Sequence, residues 1–203
     1  MAPDGHLSTA KCRSGKRREE MRRLVGLRDS LTGQCRRSQV SVMFIALKGL
    51  ALSSSDAGAA GVVEALGRGQ DAMLRVQEEI HAREGQVNKM LVDDKGVVLL
   101  CVFGLPPRPH ADDALRAVRS SLALKAAMAG DEGRPTACVG VATGRVFCGV
   151  VGSADRREFT TMGDVVNLSA RLMGLASQDG PTRVICCEAT RLQTLSSVQC
   201  VPP

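Results

Sequence analysis

Apolar and polar positions along the chain change their spacing several times, and each change marks an element. Val40-Ser-Val-Met-Phe-Ile-Ala-Leu47 is a β-branched, apolar run of strand length, which predicts a central strand. Beyond a Ser/Ala/Gly linker from Ser53 to Gly61, the residues Val62, Leu66, Met73, Val76 and Ile80 recur at helical spacing. They predict a long amphipathic helix ending at His81. Gln86 to Asp93 and Gly96 to Phe103 read as two strands joined by Asp94-Lys-Gly96, a turn suited to a hairpin. After the rigid loop Leu105-Pro-Pro-Arg-Pro-His110, Asp112 stands as N-cap of a helix to about Ala127, with Leu115, Val118 and Leu122 as its stripe. Thr136 to Ala142 and Val146 to Val151 predict two strands around a tight Thr143-Gly144 turn, and Ser153 to Glu158 a charged loop. Thr182 to Cys187 reads as a last strand, with a short helix from Glu188.

This order describes an α+β fold: a ferredoxin-like, palm-like sandwich with an antiparallel-rich sheet and helices on one face. The 203 residues, 44% of them hydrophobic, suffice for one domain with a core. The longest apolar runs, such as Val97 to Phe103, are far shorter than the roughly twenty residues of a membrane helix. No signal peptide is evident, so a soluble, cytoplasmic protein is expected. Eight cysteines are present, but Cys101, Cys138, Cys148 and Cys186 fall inside apolar runs with no metal-ligand spacing, as small hydrophobes in a reducing compartment do.

The net charge of +6 is concentrated in a basic leader, residues 1–39 with a weak helix from Lys16 to Leu31, ahead of a domain at 40–200. A basic leader raises the possibility of nucleic acid as a partner. With no Trp and no Tyr there is no stacking platform for single strands, and no nucleic-acid partner is expected. Salt-dependent retention of RNA or DNA, lost on removal of the residues before Arg37, would argue for that rival reading.

The chemistry gathers in Phe159-Thr-Thr-Met-Gly-Asp-Val-Val-Asn-Leu-Ser-Ala-Arg-Leu-Met173. Gly163 permits a turn, and Asp164 is a favoured N-cap, so a helix begins here. Val165, Leu168, Leu172 and Leu175 form an apolar stripe, while Asn167 and Arg171, four apart, share another face. An amide can read a sugar or ring oxygen, and a guanidinium can hold a phosphate through two parallel hydrogen bonds.

Gly-x-x-Val-Asn-x-[Ala/Ser]-x-Arg-[Leu/Met] resembles the class III nucleotidyl cyclase signature. The run Val139-Gly-Val-Ala-Thr-Gly-Arg-Val-Phe-Cys-Gly-Val-Val-Gly-Ser153 is similar to the segment preceding it in the soluble, bicarbonate-responsive adenylyl cyclases, their second catalytic domain above all. The resemblance runs from about Val40 to about Leu195. It implies that Arg171 stabilises the α-phosphate, that Asn167 orients the ribose, that Thr160 contacts the adenine amino group and that Lys95, at the hairpin tip, donates to an adenine ring nitrogen. Guanylyl cyclases typically carry a Cys and an acid at the last two places, so ATP is implied over GTP.

Two metal-binding aspartates are usual in the family, one in the first strand and one after the hairpin glycine. Here those places hold Ala46 or a neighbour and Val97, so no metal ligand is expected in this chain. The resemblance therefore implies a heterodimer in which a partner domain, in tandem or on a separate chain, brings two aspartates and with them two Mg or Mn ions. The chain alone would then be inactive. An alternative is a catalytically inactive cyclase-homology domain used for dimerisation or regulation. Related domains usually continue through one more hairpin past Pro203, so the C-terminal edge is expected to be truncated.

Overall fold

The computed structural model describes residues 36–50, 59–93, 96–128, 135–152, 157–178 and 183–200. In chain order the elements are β1 (Arg36–Lys48), α1 (Ala59–His81), β2 (Gln86–Asp93), β3 (Gly96–Phe103), α2 (Asp113–Ala127), β4 (Thr136–Gly152), β5 (Arg157–Met162), α3 (Asp164–Ala176), β6 (Val184–Cys186) and α4 (Glu188–Thr194). The sheet runs β2-β3-β1-β4-β5 with antiparallel neighbours, and β6 joins β4 in parallel. The leader, its weak helix and Lys95 lie outside the described residues.

Alternation along the strands gives the sheet two working faces. Met43, Ile45 and Leu47 of β1, Leu99, Cys101 and Phe103 of β3, and Val139 and Val141 of β4 point to one side. There they meet Ala72, Val76 and Ile80 of α1 and Ala117 and Leu124 of α2. Burial pushes the Cys101 thiol up to about 12, which keeps it an inert small hydrophobe. On the other side Val40, Val42, Leu100, Val102, Val146 and Cys148 pack with Phe159 of β5 and Val165 and Val166 of α3. The α+β sandwich therefore carries α1 and α2 on one face and α3 on the opposite one, where helices on a single face were expected.

Several local expectations are corrected. β4 does not turn at Thr143-Gly144: it is one continuous strand whose Thr143 and Gly144 pair with Ser41 and Val40. Gly144 is there for closeness, since a Cβ at that position would lie 2.6 Å from the Val165 side chain. β1 begins at Arg36 rather than Val40, and Arg157 and Glu158 belong to β5 rather than to a loop. Asp112 precedes α2 but makes no side-chain cap; its Oδ1 accepts instead from Arg116 Nε at 2.8 Å.

The helix stripes shift for one shared reason. In α1, Val62 and Leu66 are exposed while Ala65 and Ala72 are buried; in α2, Leu122 is exposed while Ala114 and Ala117 are buried. Helices that lie close against a sheet place small residues at the contact and leave larger ones at its margin.

Candidate active site

α3 is held down at three points. Its N-cap is Gly163, at φ 153°, a backbone angle that a side chain resists. Asp164, expected as the cap, is the first helical residue and makes no side-chain cap hydrogen bond. Its charge still sits at the favourable end of the helix dipole. Next, Val165 rests on Gly144, and the α3 backbone rests on Gly140, where a Cβ would stand 2.2 Å from both Met173 N and Ser169 O. At the C-terminal end Lys48 Nζ donates to the carbonyl of Ser177, placing a cation where the helix dipole is negative.

This seating decides which residues face outward. Ser169 and Ala176 are buried, and Ser169 Oγ turns back to donate to Val166 O at 2.9 Å. Leu168 and Leu175, expected in the buried stripe, are 40% and 50% exposed. They lie to one side of Asn167 and Arg171, which are also exposed, so the amide and guanidinium stand on one outward face with two leucines.

Thr160 lies on β5 opposite Gly149, half-buried. On its side of the hairpin Phe147 pairs with Met162 and Val151 with Glu158, and Phe147, Met162 and Val151 are each about half exposed. An uncovered apolar strip therefore surrounds Thr160. Its neighbour Thr161 points to the opposite face, buried, with Oγ1 lacking a hydrogen-bond partner.

Asp93 and Gly96, the described residues on either side of Lys95, pair with each other, and Gly96 adopts φ 127° with its Cβ position 2.8 Å from Leu47 O. Lys89 Nζ lies 3.1 Å from Glu158 Oε1, which ties β2 to β5, strands at opposite ends of the sheet order. Strong coiling of the sheet is needed for that contact. The link between β2 and the strand bearing Thr160 is this side-chain ion pair.

The places where the resemblance expects metal aspartates, at or near Ala46 and at Val97, hold apolar residues. Ala46 is half-buried between Val98 and Cys138, and Val97, 2% exposed, belongs to the main core. Among the described residues no three His, Cys, Asp or Glu side chains cluster as metal ligands would. Among the described residues, those at these places do not fit the divalent ions that class III cyclases use.

Sequence reasoning missed the seats Gly140 and Gly144, the Lys48 anchor and the Lys89–Glu158 tie. Only the glycines left a signal, as glycines inside a strand, which mark close approach by another backbone.

Comparison with known proteins fits this architecture. Residues 34–196 match the family model described as the adenylate and guanylate cyclase catalytic domain. Adenylate cyclase type 10 of Oryctolagus cuniculus is 38% identical over 104 residues, which are 51% of this chain and 6% of that protein. The chain thus matches only a small part of that relative's length. The crystal structure of the adenylyl cyclase CyaB from P. aeruginosa superposes with a TM-score of 0.68 at 20% identity, covering 82% of this chain and 85% of that one. The guanylate cyclase domain of RhGC from Catenaria anguillulae, in complex with GTP, gives 0.63 at 18% identity over 78% and 84%. The shared fold is the α+β fold of class III cyclases. Among the described residues no helix is long and apolar enough to cross a membrane. With most of its length matched by the family model, the chain belongs to the adenylate and guanylate cyclase catalytic domain family.

Proposed function

We propose that this chain is the nucleoside-binding half of an adenylate cyclase. It converts ATP to cyclic AMP and pyrophosphate when paired with a second cyclase domain that supplies the metal-binding aspartates. Cyclase domains of this family bind nucleotide and work as dimers with a second such domain. The observation that carries the reading is the outward face of α3: Asn167 and Arg171 exposed beside Leu168 and Leu175, on a helix seated without slack on two glycines. Exposed leucines beside an amide and a guanidinium suit a surface that another domain covers.

In the reaction the ribose 3′-oxygen, on losing its proton, bonds to the α-phosphorus while the bond to the departing pyrophosphate breaks. Arg171 offsets charge that develops on the α-phosphoryl oxygens, an interaction strongest in the transition state. Asn167 holds the ribose so that the 3′-oxygen stays in line. Thr160 accepts from the adenine amino group and Lys95 donates to a ring nitrogen, a pattern that guanine reverses, so ATP is the substrate over GTP. The divalent ions, Mg or Mn, belong to the partner's carboxylates, since Ala46 and Val97 offer none. Free thiols at Cys101, Cys138 and Cys148 suit a reducing, cytoplasmic setting.

The test mixes the purified chain with a cyclase domain carrying both strand-borne aspartates, in Mg or Mn, with ATP and with GTP. Cyclic AMP from ATP by the pair, little cyclic GMP from GTP and no turnover by the chain alone are expected. Robust turnover by the isolated chain, or none from the pair, overturns the reading. Arg171→Ala separates it from a purely regulatory domain, because catalysis requires a large loss of turnover with pairing kept.

A further inference from the structure

A cavity of about 410 Å³ opens on the α1/α2 side of the sheet, between the start of β1, the loop after β3 and α4. Asp113 forms part of its wall and is 8% exposed. One carboxylate oxygen, Oδ2, accepts the backbone N–H of His110 at 2.8 Å; the other, Oδ1, is buried with no hydrogen-bond partner. A buried carboxylate oxygen left unpaired is costly, and the missing partner is a donor. Burial, the largest influence on this carboxyl, raises its pKa from the usual value.

The rest of the wall selects by sign. It contains no lysine and no arginine. His110 turns its Nε2 toward Glu84 Oε2, 2.6 Å away, close enough for an ion pair though out of line for a hydrogen bond. Ser41 Oγ and Thr143 Oγ1 are engaged with each other at 2.9 Å, and Thr143 with Thr190 at 2.8 Å, so these hydroxyls are already largely satisfied. Pro106 and Pro109 add rigid apolar surface for a carbon skeleton, and the amides of Gln39 and Gln193 add polar contacts at the side. Anions meet the Asp113 carboxylate here, and the one basic side chain in the wall, His110, is turned to Glu84. We propose that this cavity is a second ligand site, taking a small organic cation whose ammonium or guanidinium head pairs with Asp113. It is separate from the α3 face, because Thr143 lines it from one side of β4 while the adjacent Gly144 seats α3 on the other.

The experiment titrates the full chain, followed by calorimetry or ligand-observed NMR, with n-butylamine, methylguanidine and, as the anionic counterpart, butyrate. Saturable binding of at least one cation and none of butyrate is expected, with Asp113→Asn weakening the cation roughly tenfold. Asn keeps an acceptor for the His110 N–H. Should that variant not fold, Ala111→Leu decides: Ala111 is an exposed lining residue, and the larger side chain fills the cavity and removes binding. Failure of both cations to saturate, butyrate binding equally well, or unchanged affinity in the variants overturns the proposal. None of these readouts involves nucleotide turnover.

Discussion

On the α1/α2 side of the sheet, Met43, Ile45, Leu47, Leu99 and Phe103 project bulky side chains into the helices, and separation is set by filled volume. On the α3 side, Gly140 and Gly144 project nothing, and a helix backbone comes down onto the strand. The first face stabilises by burial of apolar area, at roughly 25 cal/mol per Å². The second adds a smaller apolar cluster and, where the glycines lie, gains position. One domain thus keeps its stability and the placement of its polar helix face in different layers, which predicts that substitutions separate into two kinds.

The largest effect is expected from Phe103→Ala, which empties a fully buried site beside Gly85. It should cost about 3–5 kcal/mol of unfolding free energy, read by denaturant titration. Arg171→Ala should do the reverse: turnover of the reconstituted pair falls by about 10²–10³-fold, some 3–4 kcal/mol of barrier, by analogy with loss of a transition-state donor. Its chemical melt should move by no more than about 0.5 kcal/mol, as for an exposed residue. A matching loss of stability would merge the two kinds and break the comparison.

Gly140→Ala sharpens it from the other side. The added methyl must displace α3 backbone rather than a flexible side chain, at about 1–3 kcal/mol, and turnover should fall more than stability alone explains. The smallest effect belongs to Asp113→Asn. A carboxyl with a pKa raised in the fold disfavours folding once ionised: the cost is full above its folded pKa and gone below its unfolded one. The variant should therefore equal or slightly exceed the parent in melting temperature at pH 7, with the difference closing as the pH falls through that window. A variant clearly less stable at pH 7 would contradict the unpaired-oxygen account.

Where two sequence signals coincide, the structure was legible. Alternating strands flanking Asp94-Lys-Gly96 gave the β2–β3 hairpin with its observed ends. The four-residue spacing of Asn167 and Arg171 correctly put both on one face of α3. Legibility failed wherever small residues carry the contact. Counting large apolar side chains put Leu168 and Leu175 inside, whereas Ser169 and Ala176 are inside because Gly140 brings the helix too close for leucine. Thr143-Gly144 failed for the same cause, since a glycine that makes room and a glycine that turns the chain look alike in one sequence. Asp112 illustrates competition: a cap residue with an arginine one turn on can pair with it instead.

With Val165, the Gly140 contact and the Lys48–Ser177 bond each tying α3 to β1 or β4, the helix has no hinge of its own. Enclosure of a nucleotide on this face would then come from another domain travelling toward a stationary surface, and the kinetics of closure would report on that approach rather than on any bending of α3.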